Sequence, residues 1–271
     1  MGNTLLISLL EKNQIMADEL TYALITPYSL LKSRTGGILG RLLSLTDLEI
    51  VGATMFAPSD TFVDKYCATL EEQDTKPAWK KVMVNYVNSN FRKENKFRIT
   101  NRMLLLFFRG KRAIEKLKDE VIGPITSFQG HTIRGSFGDY VESSDGTVEY
   151  FEPAVLSSAD PVTNNKQLAL FAEHITQDGG VIENIVKFPE GSKPETTLVI
   201  LKPFEDRSPL PGNIIDMFSR TGLYIVGMKM LRLSIDQANE FYGPLVDIFR
   251  EKLKPKPEKI AEKLREGFKT T

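Results

Sequence analysis

Apolar residues in this chain fall in short dense runs separated by longer amphipathic and polar stretches, the pattern of an α+β fold. The runs Tyr22 to Ile25, Glu49 to Phe56 and Met103 to Phe108 predict strands. Pro27 closes the first, because proline cannot continue a central strand. Between the first two runs, Ile38, Leu42 and Leu43 recur at helical spacing, which predicts an amphipathic helix from Gly37 to Leu43. Residues 66–100 are polar and charged and are expected to form helices and surface loop. Arg112 to Lys118 and Asn165 to Phe171 predict helices, and His131 to Phe151 predicts loop and strand. The three strands are expected to be neighbours in one antiparallel sheet with the Gly37 to Leu43 helix packed on it.

The pattern occurs twice. ELTYALITPYSLLKSRTGGILGRLLSLTDLEIVGATMFAPSDTFVDKY starts at Glu19, and ETTLVILKPFEDRSPLPGNIIDMFSRTGLYIVGMKMLRLSIDQANEFY starts at Glu195. The prolines give an offset of 203 − 27 = 176, the closing tyrosines 242 − 66 = 176, and a glycine pair 212 − 37 = 175, so one small indel is absorbed. Each copy reads as a β-α-β-α unit. In the second, Leu198 to Leu201 and Tyr224 to Leu231 predict strands, and Ile214, Ile215 and Phe218 mark the helix face. The second copy is expected to form a second, incomplete sheet. Lys187 to Thr196 has the Pro, Gly and charge content of a linker. The expected organisation is an N-terminal segment 1–18, a first domain 19–186, a linker 187–194 and a partial second domain 195–271.

Composition narrows the function without choosing it. Lys plus Arg equals Asp plus Glu at 35 each, so no overall field draws in nucleic acid or an anionic membrane. The single cysteine, Cys67, excludes an internal disulfide and fits a reducing cytoplasm. The apolar run Leu5 to Leu10 has no basic residue before it and is too short to span a membrane, and Leu6 stands where a myristoylation motif needs Ser or Thr. A basic-rich tail from Arg250 carries Ile260, Leu264 and Phe268 on one helical stripe, read as a half-packed helix of the second domain.

Several motifs resemble the nucleoside diphosphate kinase family. They are Lys202-Pro203 after the second copy's first strand, the glycine-led helix, the Val-Gly of the following strand, the tyrosine closing the next helix, and HTIRGSF from His131 to Phe137. The last is similar to the family's Thr-Ile-Arg-Gly segment. The resemblance implies a ferredoxin-like antiparallel sheet with helices, followed by a partial second copy. It also implies a reaction that moves a phosphoryl group from a nucleoside triphosphate to a nucleoside diphosphate through a phosphohistidine, with Mg²⁺ and positive groups offsetting the phosphate charge.

Position by position, the resemblance gives Arg134 and Thr132 a phosphate-contacting role and sets Tyr66 beside the phosphate, with Lys202 and Tyr242 as their kind of residue in the second copy. The rest departs from the family. Thr26 stands for the lysine after the first strand, and an acid at Asp119 or Glu120 stands for a second phosphate arginine. In EYFEPAVLSSAD, Glu149 takes the asparagine's place, Glu152 the nucleophilic histidine's and Pro153 a glycine's. His131, directly before Thr132, could approach the pocket but lies on the wrong segment for the nucleophile, and His174 reads as a helix-terminal imidazole. Bland readings stand beside these roles: Tyr66 as a packing residue, Lys202 as a solvated surface lysine, and Arg134 paired with Glu149 or Glu152 across the old pocket.

Three functions follow as expectations. The first is a kinase-like protein without ordinary kinase activity, acting as a nucleotide-binding or structural module. The second is an active kinase using Glu152, since a carboxylate can form an acyl phosphate, or using a second domain completed elsewhere. The third is an interaction scaffold without nucleotide. Nucleoside di- or triphosphate with Mg²⁺ is the expected ligand if one binds. A homo-oligomer is the expected assembly, with no nucleic-acid or membrane partner and no dedicated metal site.

Overall fold

In the computed structural model the described residues are 18–73, 75–96, 100–124, 130–183, 185–202, 209–253 and 255–267. The N-terminal readings over residues 1–17, Pro203 and Phe268 lie outside them. Tertiary contact divides the chain into two units, one ending at Met230 and the other beginning at Leu231.

The first unit is built on β1 (Glu19–Ile25), α1 (Pro27–Leu31), α2 (Thr35–Ser44), β2 (Glu49–Phe56), α3 (Asp60–Glu71), α4 (Pro77–Asn90) and β3 (Met103–Gly110). A short turn, α5 (Ala113–Glu115), passes into a π-helix over Lys116–Ile122. Then come α6 (Ile133–Phe137), β4 (Asp139–Glu142), β5 (Val148–Glu152), β6 (Val155–Leu156), α7 (Pro161–Asp178) and α8 (Leu210–Ser219). Four strands form one antiparallel sheet in the order β2-β3-β1-β6, and β4 and β5 form a separate hairpin. The three predicted strands therefore share one sheet, with β3 between β1 and β2.

Period-two geometry explains why β1 and β3 read as unbroken apolar runs. Ala23 and Ile25, with Leu104, Leu106 and Phe108, pack on one face against Ile38, Leu39 and Leu42 of α2. Tyr22 and Leu24, with Met103 and Leu105, pack on the other against Phe62, Val63 and Tyr66 of α3 and Phe171 of α7. Both faces are covered, so every position must be apolar or internally satisfied. The polar stretch after Tyr66 supplies α4, whose buried Tyr86 and Val87 lie on the α3 side.

The second copy does not build the sheet expected of it. Leu198 to Leu201 has no regular structure and Leu198 is exposed, and Tyr224 to Leu231 forms no strand of its own. Instead Met228 and Met230 bond to the β2 backbone, Met55 N to Met228 O at 3.3 Å and Met230 N to Ala53 O at 3.1 Å. The physical reason is partnership: two strands alone bury too little to stand independently, whereas the β2 edge offers unpaired backbone groups. Helix α8 is formed as predicted, and of its expected face Ile215 is the buried residue.

The second unit consists of α9 (Ile235–Leu253), which carries Pro244 inside it, and α10 (Pro255–Gly267). Among the described residues no helix is long and apolar enough to cross a membrane.

Candidate functional site

Glu152 ends β5 and is 1% exposed. It is held from three sides. The Tyr86 hydroxyl lies 2.8 and 3.0 Å from its two carboxylate oxygens, the Thr26 hydroxyl donates at 2.9 Å, and the Ala154 amide donates at 3.3 Å. Thr26 occupies this place because β1 stops there and its side chain also caps α1. The turn after Glu152 is tight: Ala154 sits at φ +60°, and its carbonyl accepts from Thr26 N at 3.1 Å and Ser29 Oγ at 3.2 Å. Burial raises the Glu152 pKa above its usual 4.5, against the opposing pull of the Tyr86, Thr26 and Ala154 hydrogen bonds.

Arg134 lies on α6, which Thr132 caps by accepting from Gly135 N at 3.1 Å. Its guanidinium does not meet Glu149 or Glu152. It donates to the carbonyls of Gly123 at 2.9 Å and Val155 at 3.3 Å, while Nε is sealed from solvent without a partner. Desolvation pushes its pKa down to about 10, with Tyr66 and Asp119 acting the other way. Glu149 is exposed. The alternative pairing of Arg134 with an acid is therefore replaced by pairing with backbone.

Tyr66 is buried, stacks on Phe62 with ring centroids 5.7 Å apart, and shares a 2.7 Å hydrogen bond with the Tyr22 hydroxyl. Tyr22 in turn donates to Gln167 at 2.7 Å, and Ser158 also donates to Gln167. This chain of polar contacts lies in the core on the α3 and α7 side of the sheet. Thr132 is fully buried beside Gly123, where a Cβ would fall 2.5 Å from the Thr132 Cβ. Asp119 pairs with Lys118 at 3.4 Å, and Glu120 lies 3.9 Å from Arg112.

The two histidines lie just before α6 and near the end of α7. His131 is exposed. His174 is buried on α7, with Nδ1 3.4 Å from Asp178 and its ring edge-on to Phe62. Lys202 is exposed, and Tyr242, in the second unit, packs edge-on against Phe241.

The arrangement thus brings Glu152, Arg134 and Thr132 to one end of the sheet but, Arg134 Nε apart, turns their polar side-chain atoms to protein partners. A Mg²⁺-bound phosphate does not fit this donor set, because the arginine's donors face carbonyls and the buried Glu152 beside them is an acid. Among the described residues no three His, Cys, Asp or Glu side chains gather as a metal cluster. A cavity of about 150 Å³ lies elsewhere, lined by Leu30, Thr35, Arg102 and Tyr224, and includes none of the predicted site residues. Sequence reasoning missed Tyr86, Gln167 and Ser158. Tyr86 in particular lies in a polar helix with no motif around it.

The nucleoside diphosphate kinase family model matches residues 195–250. The chain is 52% identical over 49 residues to a nucleoside diphosphate kinase of Staphylothermus marinus, covering 18% of this chain and 35% of that protein. It is 49% identical over 49 residues to one of Acidiphilium cryptum, with the same shares. The chain spans about a third of the length of the curated relatives it matches. Among solved structures it is similar to the Aquifex aeolicus nucleoside diphosphate kinase, at 19% identity and TM-score 0.41 over 57% of this chain and 95% of the other. The Borrelia burgdorferi enzyme, solved with vanadate and ADP, gives 15% identity and TM-score 0.42 over 65% and 95%.

Proposed function

Because the chain is related to the nucleoside diphosphate kinase family through residues 195–250, we propose that it is a kinase-like module silent in phosphoryl exchange, whose first repeat serves a structural role. The observation that carries this is the state of Glu152. The residue at the nucleophile's position is 1% exposed and bound by Tyr86, Thr26 and Ala154 N. A nucleophile must reach the phosphorus with a free lone pair in line with the leaving group. Here the lone pairs face two hydroxyls and an amide inside the protein.

The same geometry weighs against nucleotide binding in this repeat. Arg134 would have to give up two carbonyl partners, and Tyr66 its hydrogen bond to Tyr22, before either met a phosphate. The reading that fits is a former phosphate site turned into a packed joint between sheet, α4 and α6.

The test is to incubate the purified protein with Mg-ATP and a nucleoside diphosphate, follow triphosphate formation, and look for an acid-labile phosphoenzyme by intact mass. Neither product nor phosphoenzyme is expected. Exchange that disappears in Glu152→Gln would establish a carboxylate nucleophile and overturn the proposal. Nucleotide binding is read separately by thermal shift. A ligand at a hundred times its Kd stabilises by about 2.7 kcal/mol, so an unchanged midpoint with excess Mg-ADP is the expected result.

A further inference from the structure

Arg102 stands at the head of β3, directly before Met103. Because β3 lies between β1 and β2 and its first residues are fully buried, the arginine is drawn inward with them and is 8% exposed. A buried guanidinium normally meets an anion, since an unpaired charge away from water is costly. The more exposed Arg34, Arg92, Arg109 and Arg112 each have a carboxylate within salt-bridge distance. Arg102 has none among the described residues. One of its terminal nitrogens donates to the Ile225 carbonyl, and its remaining donors have no hydrogen-bond partner among those residues. Desolvation accordingly pulls its pKa down to about 10, with Tyr224 acting the other way.

The same arginine lines the cavity of about 150 Å³. Thr35 stands on that wall at the first position of α2, and it is 2% exposed with its hydroxyl unpartnered among the described residues. No side chain caps α2, which leaves the partial positive charge of its first-turn amides unopposed. A buried arginine, a buried free hydroxyl and an uncapped helix start therefore border one cavity, and among the described residues no carboxylate lines it. Leu30, Leu223 and Ile225 give it an apolar side.

We propose that this cavity is a binding site for a small organic carboxylate, held by Arg102 and Thr35 through its charged group and by Leu30 and Ile225 through an apolar body. A single cation favours a single negative charge, because a phosphate dianion would keep part of its charge uncompensated in a half-buried site. The forked donors of a guanidinium also suit the two oxygens of a carboxylate. Size sets the other limit. A cavity of about 150 Å³ admits a molecule as large as benzene, so a one-ring or short-chain acid fits and a nucleotide does not. Leu223 and Tyr224, both exposed, border the entry. The proposal is independent of the reading of Glu152 and needs no phosphoryl transfer.

Fluorine NMR of the intact chain tests it with para-fluorobenzoate as the probe. Saturable line broadening from one site is expected, and the uncharged para-fluorobenzamide should bind about tenfold more weakly or not at all. Absence of binding, or equal binding of the amide, would overturn the proposal. Displacement of the probe by an equal concentration of inorganic phosphate would overturn the choice of a carboxylate with an apolar body. Arg102→Gln should weaken the probe about tenfold or more, whereas Arg109→Gln, at a surface ion pair, should leave it unchanged. If Arg102→Gln does not fold, as judged by circular dichroism, Leu223→Trp decides, because a larger side chain at the exposed rim should block the probe. Undiminished binding in folded Arg102→Gln or in Leu223→Trp would put the probe elsewhere and overturn the site.

Discussion

Glu152 sits where its charge is least favoured and its hydrogen bonds most numerous, so its titration should report on the whole joint. Its pKa is raised by burial, so the folded state holds the proton to higher pH than the unfolded chain. The stability this contributes is fully present below the ordinary value of 4.5 and is lost as pH rises through the folded value. In Glu152→Gln that part of the slope should vanish, which denaturant unfolding from acid to neutral pH will measure; an unchanged slope would mean the carboxylate is solvated. Tyr86→Phe removes a hydroxyl donor from the carboxylate and should cost about 1–3 kcal/mol at neutral pH and less under acid. Ala154 sits at φ +60°, a conformation costing about 1–2 kcal/mol for a residue with a Cβ. Ala154→Gly relieves that strain against a Gly entropy penalty of about 0.5–1 kcal/mol. The net expectation is unchanged or slightly raised stability, and a clear loss on thermal unfolding would contradict it.

At the scale of elements, the α2–α8 contact depends on the absence of side chains. Gly36→Ala puts a methyl within 2.6 Å of Asp216 and Gly212 backbone atoms, which do not move aside as a flexible side chain would. A cost of about 1–3 kcal/mol is expected, in line with other overpacked contacts. Gly130→Ala is the control, since nothing lies within 4 Å of its added methyl. It should change stability by less than about 0.5 kcal/mol. Equal effects of the two substitutions on the denaturation midpoint would remove the case for close helix approach.

Across the whole molecule, burial is unevenly shared. The first unit has a sheet covered on both faces, whereas α9 of the second leaves Phe241, Val246 and Phe249 exposed. Local opening free energy follows buried apolar contact. Amides of residues 235–267 should therefore exchange well before those of β1 and β3 in hydrogen-exchange mass spectrometry. Protection of α9 equal to that of β3 would show that the exposed apolar residues are covered in solution.

The main sheet and α2 were legible in the sequence for a plain reason. Strands buried on both faces must be apolar at every position, and a helix covering one face must repeat its apolar residues every three or four. The likeness between the stretches from Glu19 and Glu195 was legible too, because residue order is a property of the chain itself. What the second copy does was not: Tyr224 to Leu231 has the composition of a strand in a sheet of its own, yet a strand is defined by its partners, and the partner is β2 of the first copy. That the stretch EYFEPAVLSSAD holds no histidine could be read from the sequence alone. That Glu152 is closed in by Tyr86, 66 residues away, and that Arg134 answers to carbonyls of Gly123 and Val155, was decided by the fold. Sequence periodicity records which face a residue turns to the core, while the partner of a buried polar group is set by chain segments that meet only in three dimensions.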